Sequence, residues 1–577
     1  MRKKLFSCFV LICLVLLFSC AQVEFLEPAE SRLEESDRSG LEFHYDKEKY
    51  PPKTPVYDSS SIRYLDLTSE KVYPPLIDTS ALSIDTYSKV SGRTGYAYSV
   101  IHKGQLTSSY QRAYDISFPA PSHYNSVEGI LSFRGNNYRN TAAYGLADIK
   151  EKKLEIVWDK SIGSIDSWTG VGWTGQPTLV KWPEETKSIM NISAEKKAKD
   201  DLVEVIYGTM DGNIYFLDLE DGQSTRSPIN TGFSMKGSVA VDPRGYPLLY
   251  SGQGINSNRG VYSDFKFRIF SLIDQKQLYT ISGTDPFQYR NWGAFDSNPL
   301  IDGKTDTLIQ AGENGILYTA KLNTKYNPSE KTISIQPEFS NFRYKSPYHT
   351  TVGMESSPVG YKNLVFITDN SGMLQCLDIN TMSPVWVHHV SDDSDATMIL
   401  EEVSDTQVYL YTGCEVDHQG PGGSTYMRKF NALTGEKLWE RSIRCYYDKD
   451  VNGGAMASPA IGEMNVSDYV YFNIARTHES PWGGILYCFD KNTGESVWEK
   501  TLGYYCWSSP VIVYDYDQNA YLIICDSGGY MSLLDAKTGE LYDQISLYAN
   551  VEGSPAVYEN MIVIGTRGQQ IFGVKIK

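Results

Sequence analysis

The sequence lacks the signatures of the common enzyme classes and of nucleic-acid-binding proteins. Its 577 residues contain no G-x-S-x-G, no H-E-x-x-H and no phosphate-binding loop, which are the motifs of many hydrolases and nucleotide-binding proteins. The formal net charge is −17, and no long run of lysine or arginine occurs. Because nucleic acids are bound through basic surfaces, a nucleic-acid partner is not expected.

Adjacent cysteines and cysteine motifs of metal sites are also absent from the sequence. No two of the nine cysteines are adjacent, and no CxxC or Cys/His cluster indicates zinc. Six lie beyond the first twenty residues, namely Cys376, Cys414, Cys445, Cys488, Cys506 and Cys525. Disulfides are possible outside the cytoplasm, but these spacings favour buried free thiols.

The N-terminus has the pattern of a secretion signal. Arg2, Lys3 and Lys4 precede an apolar stretch, Leu5–Phe18, which is too short for an ordinary membrane-spanning helix. The stretch ends in Leu17-Phe18-Ser19-Cys20 and resembles the lipobox of bacterial lipoproteins. The resemblance implies that residues 1–19 are removed and that lipidated Cys20 anchors the chain to a bacterial membrane, outside the cytoplasm. An ordinary cleaved signal is the alternative.

Residues 20–128 are predicted to be a polar tether and an N-terminal extension. Acidic residues crowd its first part, and the pairs Pro51-Pro52 and Pro74-Pro75 interrupt it. Such a composition offers little apolar surface to offset the entropy cost of ordering the chain.

A short phrase, clearest as Ala457-Ser458-Pro459-Ala460-Ile461, recurs along the rest of the chain. Each copy is a small-residue turn that leads into an apolar strand. The copies begin near Gln176, Gly237, Ser297, Ser356, Ala396, Ala457, Ser508 and Gly553. A period of about 40–60 residues is typical of four-stranded propeller blades. Residues 129–577 are therefore predicted to form an all-β, eight-bladed β-propeller.

The two ends of this region are predicted to complete one blade. The last repeat supplies only three strands before the chain stops at Lys577, whereas Leu154–Lys160 is an alternating strand without a blade of its own. Pairing the N-terminal strand with the last blade would close the ring and remove an exposed edge.

A second repeat lies between the outer strands of several blades. It reads Asp490-Lys491-Asn492-Thr493-Gly494 with Trp498 four residues later, and it recurs around Gly435 and Gly539. This phrase resembles the tryptophan-docking repeat of the PQQ-like propeller superfamily, which includes quinoprotein alcohol dehydrogenases and the propeller lipoprotein of the β-barrel assembly machinery. The resemblance covers roughly Phe133 to Lys577 and implies blade architecture. The vicinal disulfide, calcium ligands and catalytic aspartate of the dehydrogenases do not map onto this chain, so PQQ is not expected.

Aligning the blades on the repeated phrase gives a candidate ring around the central channel. Three residues before the proline position lie Lys236, Asp296, Glu355, Asp395, Trp507 and Glu552. If these side chains point into the channel, the carboxylates would raise one another's pKa or recruit a cation such as Ca²⁺. Alternatively, each carboxylate caps its own turn.

The loops on the same face are candidate binding elements. The loop between the second and third strands is long in three blades, at residues 253–266, 415–426 and 476–484. Loops that exceed a repeat template are often functional, although drift in a tolerant surface loop explains these lengths equally. Candidate anchors on this face are Trp173, Trp292, Trp482, His418 and His478; the tryptophans, with Trp507, could equally pack between blades. On the opposite face, Asp515, Asp517 and Asn519 resemble the opening of a calcium loop, although a plain hairpin turn is the favoured interpretation.

These features together predict a binding or scaffold module rather than an enzyme. We expect a monomeric propeller, tethered to the membrane, whose loops recognise an envelope protein, a peptide or a glycan. The alternative is a quinoprotein-like oxidoreductase or a polysaccharide-acting enzyme that uses carboxylates at the propeller centre.

Overall fold

The structure is a computed structural model that describes residues 43–45, 73–79, 82, 96–172, 175–448 and 451–577. The predicted signal peptide, Cys20 and Trp173 lie outside the described residues. In the described part of the chain, no helix is long and apolar enough to cross a membrane.

Eight antiparallel sheets form the eight blades, which confirms the predicted all-β propeller. The first strand of each blade begins two or three residues after the start predicted from the repeated phrase. From the innermost strand outward, blade 1 contains Thr178–Val180, Glu204–Gly208, Asn213–Asp218 and Ile229–Asn230. Blade 2 contains Ala240–Val241, Leu248–Gly252, Lys266–Ser271 and Gln277–Ser282. Blade 3 contains Leu300–Asp302, Thr307–Ala311, Ile316–Lys321 and Glu338–Lys345.

The next four blades repeat the same order. Blade 4 contains Val359–Tyr361, Leu364–Thr368, Met373–Asp378 and Ser383–His389. Blade 5 contains Ile399–Ser404, Gln407–Thr412, Ser424–Asn431 and Lys437–Arg444. Blade 6 contains Ala460–Ile461, Tyr469–Ala475, Gly484–Asp490 and Ser496–Leu502. Blade 7 contains Val511–Tyr514, Ala520–Cys525, Tyr530–Asp535 and Leu541–Ser546.

Blade 8 combines both ends of the propeller region. Its inner three strands are Ala556–Tyr558, Met561–Thr566 and Gln570–Ile576, and its outermost strand is Leu154–Ser161. The outer pair is antiparallel, with Gln570 opposite Ser161 and Ile576 opposite Leu154.

Shorter strands and helices extend the blade edges or lie in the loops between strands. Phe43–Tyr45 extends the outer edge of blade 6, and the hairpin Ala97–His102 with Gln105–Thr107 extends that of blade 3. Smaller paired strands are Ser164–Ile165 with Trp168–Thr169, Ser257–Asn258 with Val261–Tyr262, Lys325–Asn327 with Thr332–Ser334, and Glu415–Val416 with Gly453–Gly454. The helical elements in the described ranges are Pro121–Tyr124, Glu184–Ile189, Ala194–Lys197 and a 3₁₀ turn, Met464–Val466.

Tryptophans on outer strands pack against the neighbouring blade and donate hydrogen bonds to it. Trp439 of blade 5 donates its indole N–H to the carbonyl of Lys491 in blade 6 (2.9 Å), and its ring covers Gly494. Gly494 adopts a φ of +66°, and a Cβ there would lie 2.6 Å from the indole. Glycine is therefore required both by the left-handed backbone and by the ring. Trp158, on the closing strand of blade 8, docks in the same way over Gly222 of blade 1.

A segment that precedes the closing strand fills the channel. We call residues 128–147 the central segment. Its ends pair with innermost strands, Gly129–Ile130 with that of blade 1 and Ala143–Tyr144 with that of blade 8. Backbone hydrogen bonds reach blade 2 through Leu131, blade 5 through Tyr138 and blade 4 through Asn137. The central segment thereby contacts the channel lining on most sides.

Two fully buried arginines hold the central segment in place. Arg139 donates to the carbonyls of Pro358, Asn298 and Pro299 at 2.9–3.2 Å, which joins it to blades 3 and 4. Arg134 donates to the carbonyl of Pro510 in blade 7 (3.2 Å). Burial lowers the pKa of Arg139 to about 10.

Candidate functional site

The front face is the face that carries the loops leading into the first strands and the loops joining the second and third strands. The candidate ring residues precede the first strands on this face, whereas the central segment contacts the chain from the residue before the proline position onward. The ring residues therefore lie at the front-face end of the channel, with the central segment behind them. We call this end of the channel the recess.

The first acidic cluster lies between blades 2 and 4. Asp296, Glu313 and Glu355 bring carboxylate oxygens within 4.8 Å of one another. Lys236 Nζ lies 2.5 Å from Asp296 Oδ2, and Arg290 Nη1 lies 3.3 Å from Glu313 Oε2 and 3.7 Å from Glu355 Oε1. Two cations of the chain therefore balance most of the charge of this cluster.

Burial controls the protonation of this first cluster. It raises the pKa of Glu313 well above its usual range, and the neighbouring carboxylates of Glu355 and Asp296 raise it further. The pKa of Asp296 is also raised by burial, although Lys236 opposes the shift. Asp296 and Glu313 are close enough for the protonation of one to depend on that of the other.

A second acidic cluster lies at blade 5. Asp393, Asp395 and Glu415 also bring their oxygens within 4.8 Å of one another. Burial raises the pKa of all three well above the usual range, and neighbouring carboxylates add to the shift. Asn452 Nδ2 donates to Glu415 Oε2 at 3.3 Å.

Among the described residues, the other ring positions lack such clusters. Glu552 of blade 8 faces Arg567, with Oε2 3.5 Å from Nη1, and accepts a hydrogen bond from Asn550. Trp507 of blade 7 is 8% exposed and packs with Met456 and Tyr505. The ring is thus charged around blades 2–5 and apolar at blades 6 and 7.

Four of the five predicted loop anchors are described; they lie on the front face but do not form one group. Trp482 is 81% exposed, whereas Trp292 is 36% exposed and packs edge-on against Phe265. His418 stacks on His349, with ring centroids 4.9 Å apart, and His478 packs against Tyr446 at 5.4 Å. The two histidines therefore have different neighbours.

The candidate calcium loop on the opposite face has the geometry of a hairpin turn. Asp515 Oδ1 accepts hydrogen bonds from the backbone of Asp517 and Asn519, and Oδ2 accepts from the side chains of Asn519 and Tyr521, all at 2.8–3.0 Å. These contacts occupy both oxygens of Asp515 and favour the hairpin interpretation.

Sequence reasoning missed several residues of the site. Glu313, Glu415 and Asp393 belong to loops outside the aligned phrase, as do Arg290 and Asp417. One signal was present: an acidic residue opens the loop after the second strand in five blades, at Asp211, Glu313, Asp369, Glu415 and Asp526.

Comparison with known proteins supports the fold. A family model described as outer membrane protein assembly factor BamB matches residues 483–577, from the end of the front-face loop in blade 6 to the last residue. The solved quinohemoprotein alcohol dehydrogenase ADHIIG from Pseudomonas putida HK5 is 12% identical, with a TM-score of 0.52, over 78% of this chain and 80% of that chain. BamB from Moraxella catarrhalis is 15% identical, with a TM-score of 0.43, over 74% of this chain and 98% of that chain. A search of curated proteins finds no match. The chain thus shares the propeller fold of the quinohemoprotein dehydrogenase and resembles the BamB family model over residues 483–577.

Proposed function

We propose that this chain is a membrane-tethered propeller outside the cytoplasm that binds an envelope protein or peptide through its front face, without catalysis. The observation that carries the proposal is the concentration of carboxylates at the front-face end of the channel, with the central segment behind them. The family model that matches the last blades describes an outer membrane protein assembly factor, which supports a partner in the cell envelope.

The charge of the recess favours a partner with basic side chains. Among the described residues, the two clusters, Asp417 and Glu552 supply eight carboxylates, against the three cations Lys236, Arg290 and Arg567. Complementary charge steers association and selects partners more than it adds affinity. A basic segment would also relieve the repulsion between the buried carboxylates.

Exposed aromatic side chains on the front-face loops add contact area. Trp482 is 81% exposed at the tip of a blade 6 loop, which is an unusual position for so large an apolar group. Tryptophan is enriched among residues that dominate binding energy, since it combines a large apolar surface with an N–H donor. We therefore choose position 482 for the crosslinking experiment that tests the proposal.

Site-specific photo-crosslinking in membranes tests the proposal. A photoreactive amino acid replaces Trp482 on the front face or, as the matched control, Tyr516 on the opposite face, which is 65% exposed. We expect a partner band from position 482 that weakens as salt is raised, because screening reduces charge attraction, and no such band from position 516. Equal bands from both positions, or none from position 482, would refute a front-face binding role.

The residues present support a quinoprotein-type oxidoreductase less well than they support a binding module. PQQ is a tricarboxylate, and a recess with more carboxylates than cations disfavours an anionic cofactor. All six cysteines of the described residues are free and buried. Adding PQQ and Ca²⁺ to the purified protein and following dye reduction checks this point: we expect no turnover with alcohols, and sustained dye reduction would contradict the proposal.

A further inference from the structure

The second acidic cluster extends outward to a histidine. Asp393, Asp417 and His418 place one ligand atom each within 4.8 Å of one another, and Asp393 is shared with the triad of Asp395 and Glu415. We call these five residues the blade 5 cluster. They combine four carboxylates with one imidazole at the mouth of the recess.

A buried aspartate fixes the loop that carries the outer residues. Asp392 is 1% exposed, and its carboxylate accepts the backbone N–H groups of Asp417, His418 and Gln419 at 2.9–3.2 Å. The side-chain amide of Gln419 donates to the same carboxylate at 3.0 Å. The ligand-bearing backbone is therefore held in place before any ligand arrives.

The orientation of His418 directs its second nitrogen into the cluster. Nε2 lies 2.9 Å from the carbonyl oxygen of Asn370, so Nε2 carries the proton that is donated. Nδ1 then faces Asp417, 3.6 Å from Oδ2. In the neutral ring a lone pair of Nδ1 points at carboxylate oxygens. Histidines that bind metals commonly donate their other N–H to a backbone carbonyl in this way.

The chain balances little of the negative charge of the blade 5 cluster. In the described residues, no lysine or arginine forms an ion pair with these carboxylates: Lys236 and Arg290 pair with the first cluster, and Lys236 attracts Asp395 only from a longer distance. Asp395 is 8% exposed, and its Oδ1 has no hydrogen-bond partner; Asp393 Oδ1 has none either. Buried charges are costly unless paired or bound to a metal.

We propose that the blade 5 cluster binds one divalent transition-metal ion, with His418 Nδ1, Asp417 and Asp393 as ligands. Asp395 and Glu415, behind Asp393, add negative charge that stabilises the ion. Imidazole with carboxylates suits Zn²⁺ and similar ions, whereas Ca²⁺ prefers oxygen ligands alone. Ligand distances of about 2.0–2.2 Å require only a small closing movement of the three side chains. The side chains of His418 and Asp417 are 43% and 32% exposed, so an ion can reach them from solvent. This inference does not rest on the proposed partner.

Calorimetric titration of the metal-stripped protein with Zn²⁺ tests the site. We expect one Zn²⁺ per chain and at least a tenfold loss of affinity in His418→Ala and in Asp393→Asn. His478→Ala, which removes a histidine from the neighbouring front-face loop, is the matched control and should bind Zn²⁺ like the wild type. Ca²⁺ at the same concentration should not displace Zn²⁺.

Three results would overturn the proposal: no stoichiometric Zn²⁺ binding, unchanged binding in His418→Ala, or displacement of Zn²⁺ by an equal concentration of Ca²⁺. Thermal melting of each metal-free variant serves as the folding control. If Asp393→Asn does not fold, His418→Ala still decides the question, because its side chain is 43% exposed and its removal leaves the core intact.

Discussion

Replacing Arg139 by alanine should destabilise the whole propeller. Its guanidinium is fully buried in the central segment and donates to the carbonyls of Phe133, Pro358, Asn298 and Pro299 at 2.9–3.2 Å. The variant leaves these acceptors without their donor and opens a cavity between blades 3 and 4. A buried polar group that loses its partner costs about 1–3 kcal/mol. Since neighbouring losses are not additive, we expect a total of about 4 kcal/mol.

Urea unfolding followed by tryptophan fluorescence measures this loss. Arg139→Lys keeps a charge but offers a point donor in place of the planar fork, so it should lie between the alanine variant and the wild type. Arg259→Ala, at an exposed loop position, is the matched control and should stay within about 0.5 kcal/mol of the wild type. An Arg139→Ala protein that unfolds at the wild-type urea concentration would refute the assigned role of the central segment.

Two further predictions concern the acidic recess and the membrane anchor. The pKa of Asp395 is raised in the folded state, so the folded protein binds this proton more tightly than the unfolded chain does. The free energy of unfolding of the metal-free protein therefore falls as the pH rises above about 4, and it continues to fall until the pH passes the folded-state pKa. Asp395→Asn should therefore raise the urea midpoint at pH 8 and leave it nearly unchanged at pH 4; an equal change at both would contradict this origin. Cys20→Ser should abolish incorporation of labelled palmitate in cells, and retained labelling would show that Cys20 is not the lipidated residue.

The architecture was predictable because it repeats. The phrase around Pro459 marks each blade, since every blade needs the same small-residue turn before its first strand. The Thr-Gly turn with a following tryptophan is equally local, because Gly494 must admit both a left-handed backbone and the ring of Trp439. Such local patterns can be recognised in the sequence even where the loops between the strands differ in length.

The central segment could not be predicted in the same way. Nothing in the local pattern around Arg139 indicates that its partners are Pro358 and Asn298, which lie in other blades. Such contacts depend on the closed ring, which brings residues from across the chain to one axis. An arginine in a polar stretch otherwise indicates an exposed side chain.

The acidic site was predictable only in part. Alignment on the repeated phrase identified Asp296, Glu355 and Asp395 because their positions are equivalent in consecutive blades. It missed Glu313 and Asp393, which reach the recess from loops of unequal length. Alignment also treated Trp507 as equivalent to the acids, although its ring packs against Met456 on the apolar side of the channel.

The pairing of Leu154–Ser161 with the last strand has a consequence for synthesis and folding. Asp159 and Gln570 approach across a sequence separation of 411 residues, so blade 8 stays incomplete until residues 570–576 have been synthesised. Contacts between residues this far apart form slowly, because closing a long loop costs entropy before the contacts form. Before this pairing, the strand Leu154–Ser161 presents an unpaired edge. Unpaired strand edges favour misassociation, so this strand is where we expect errors of folding to begin.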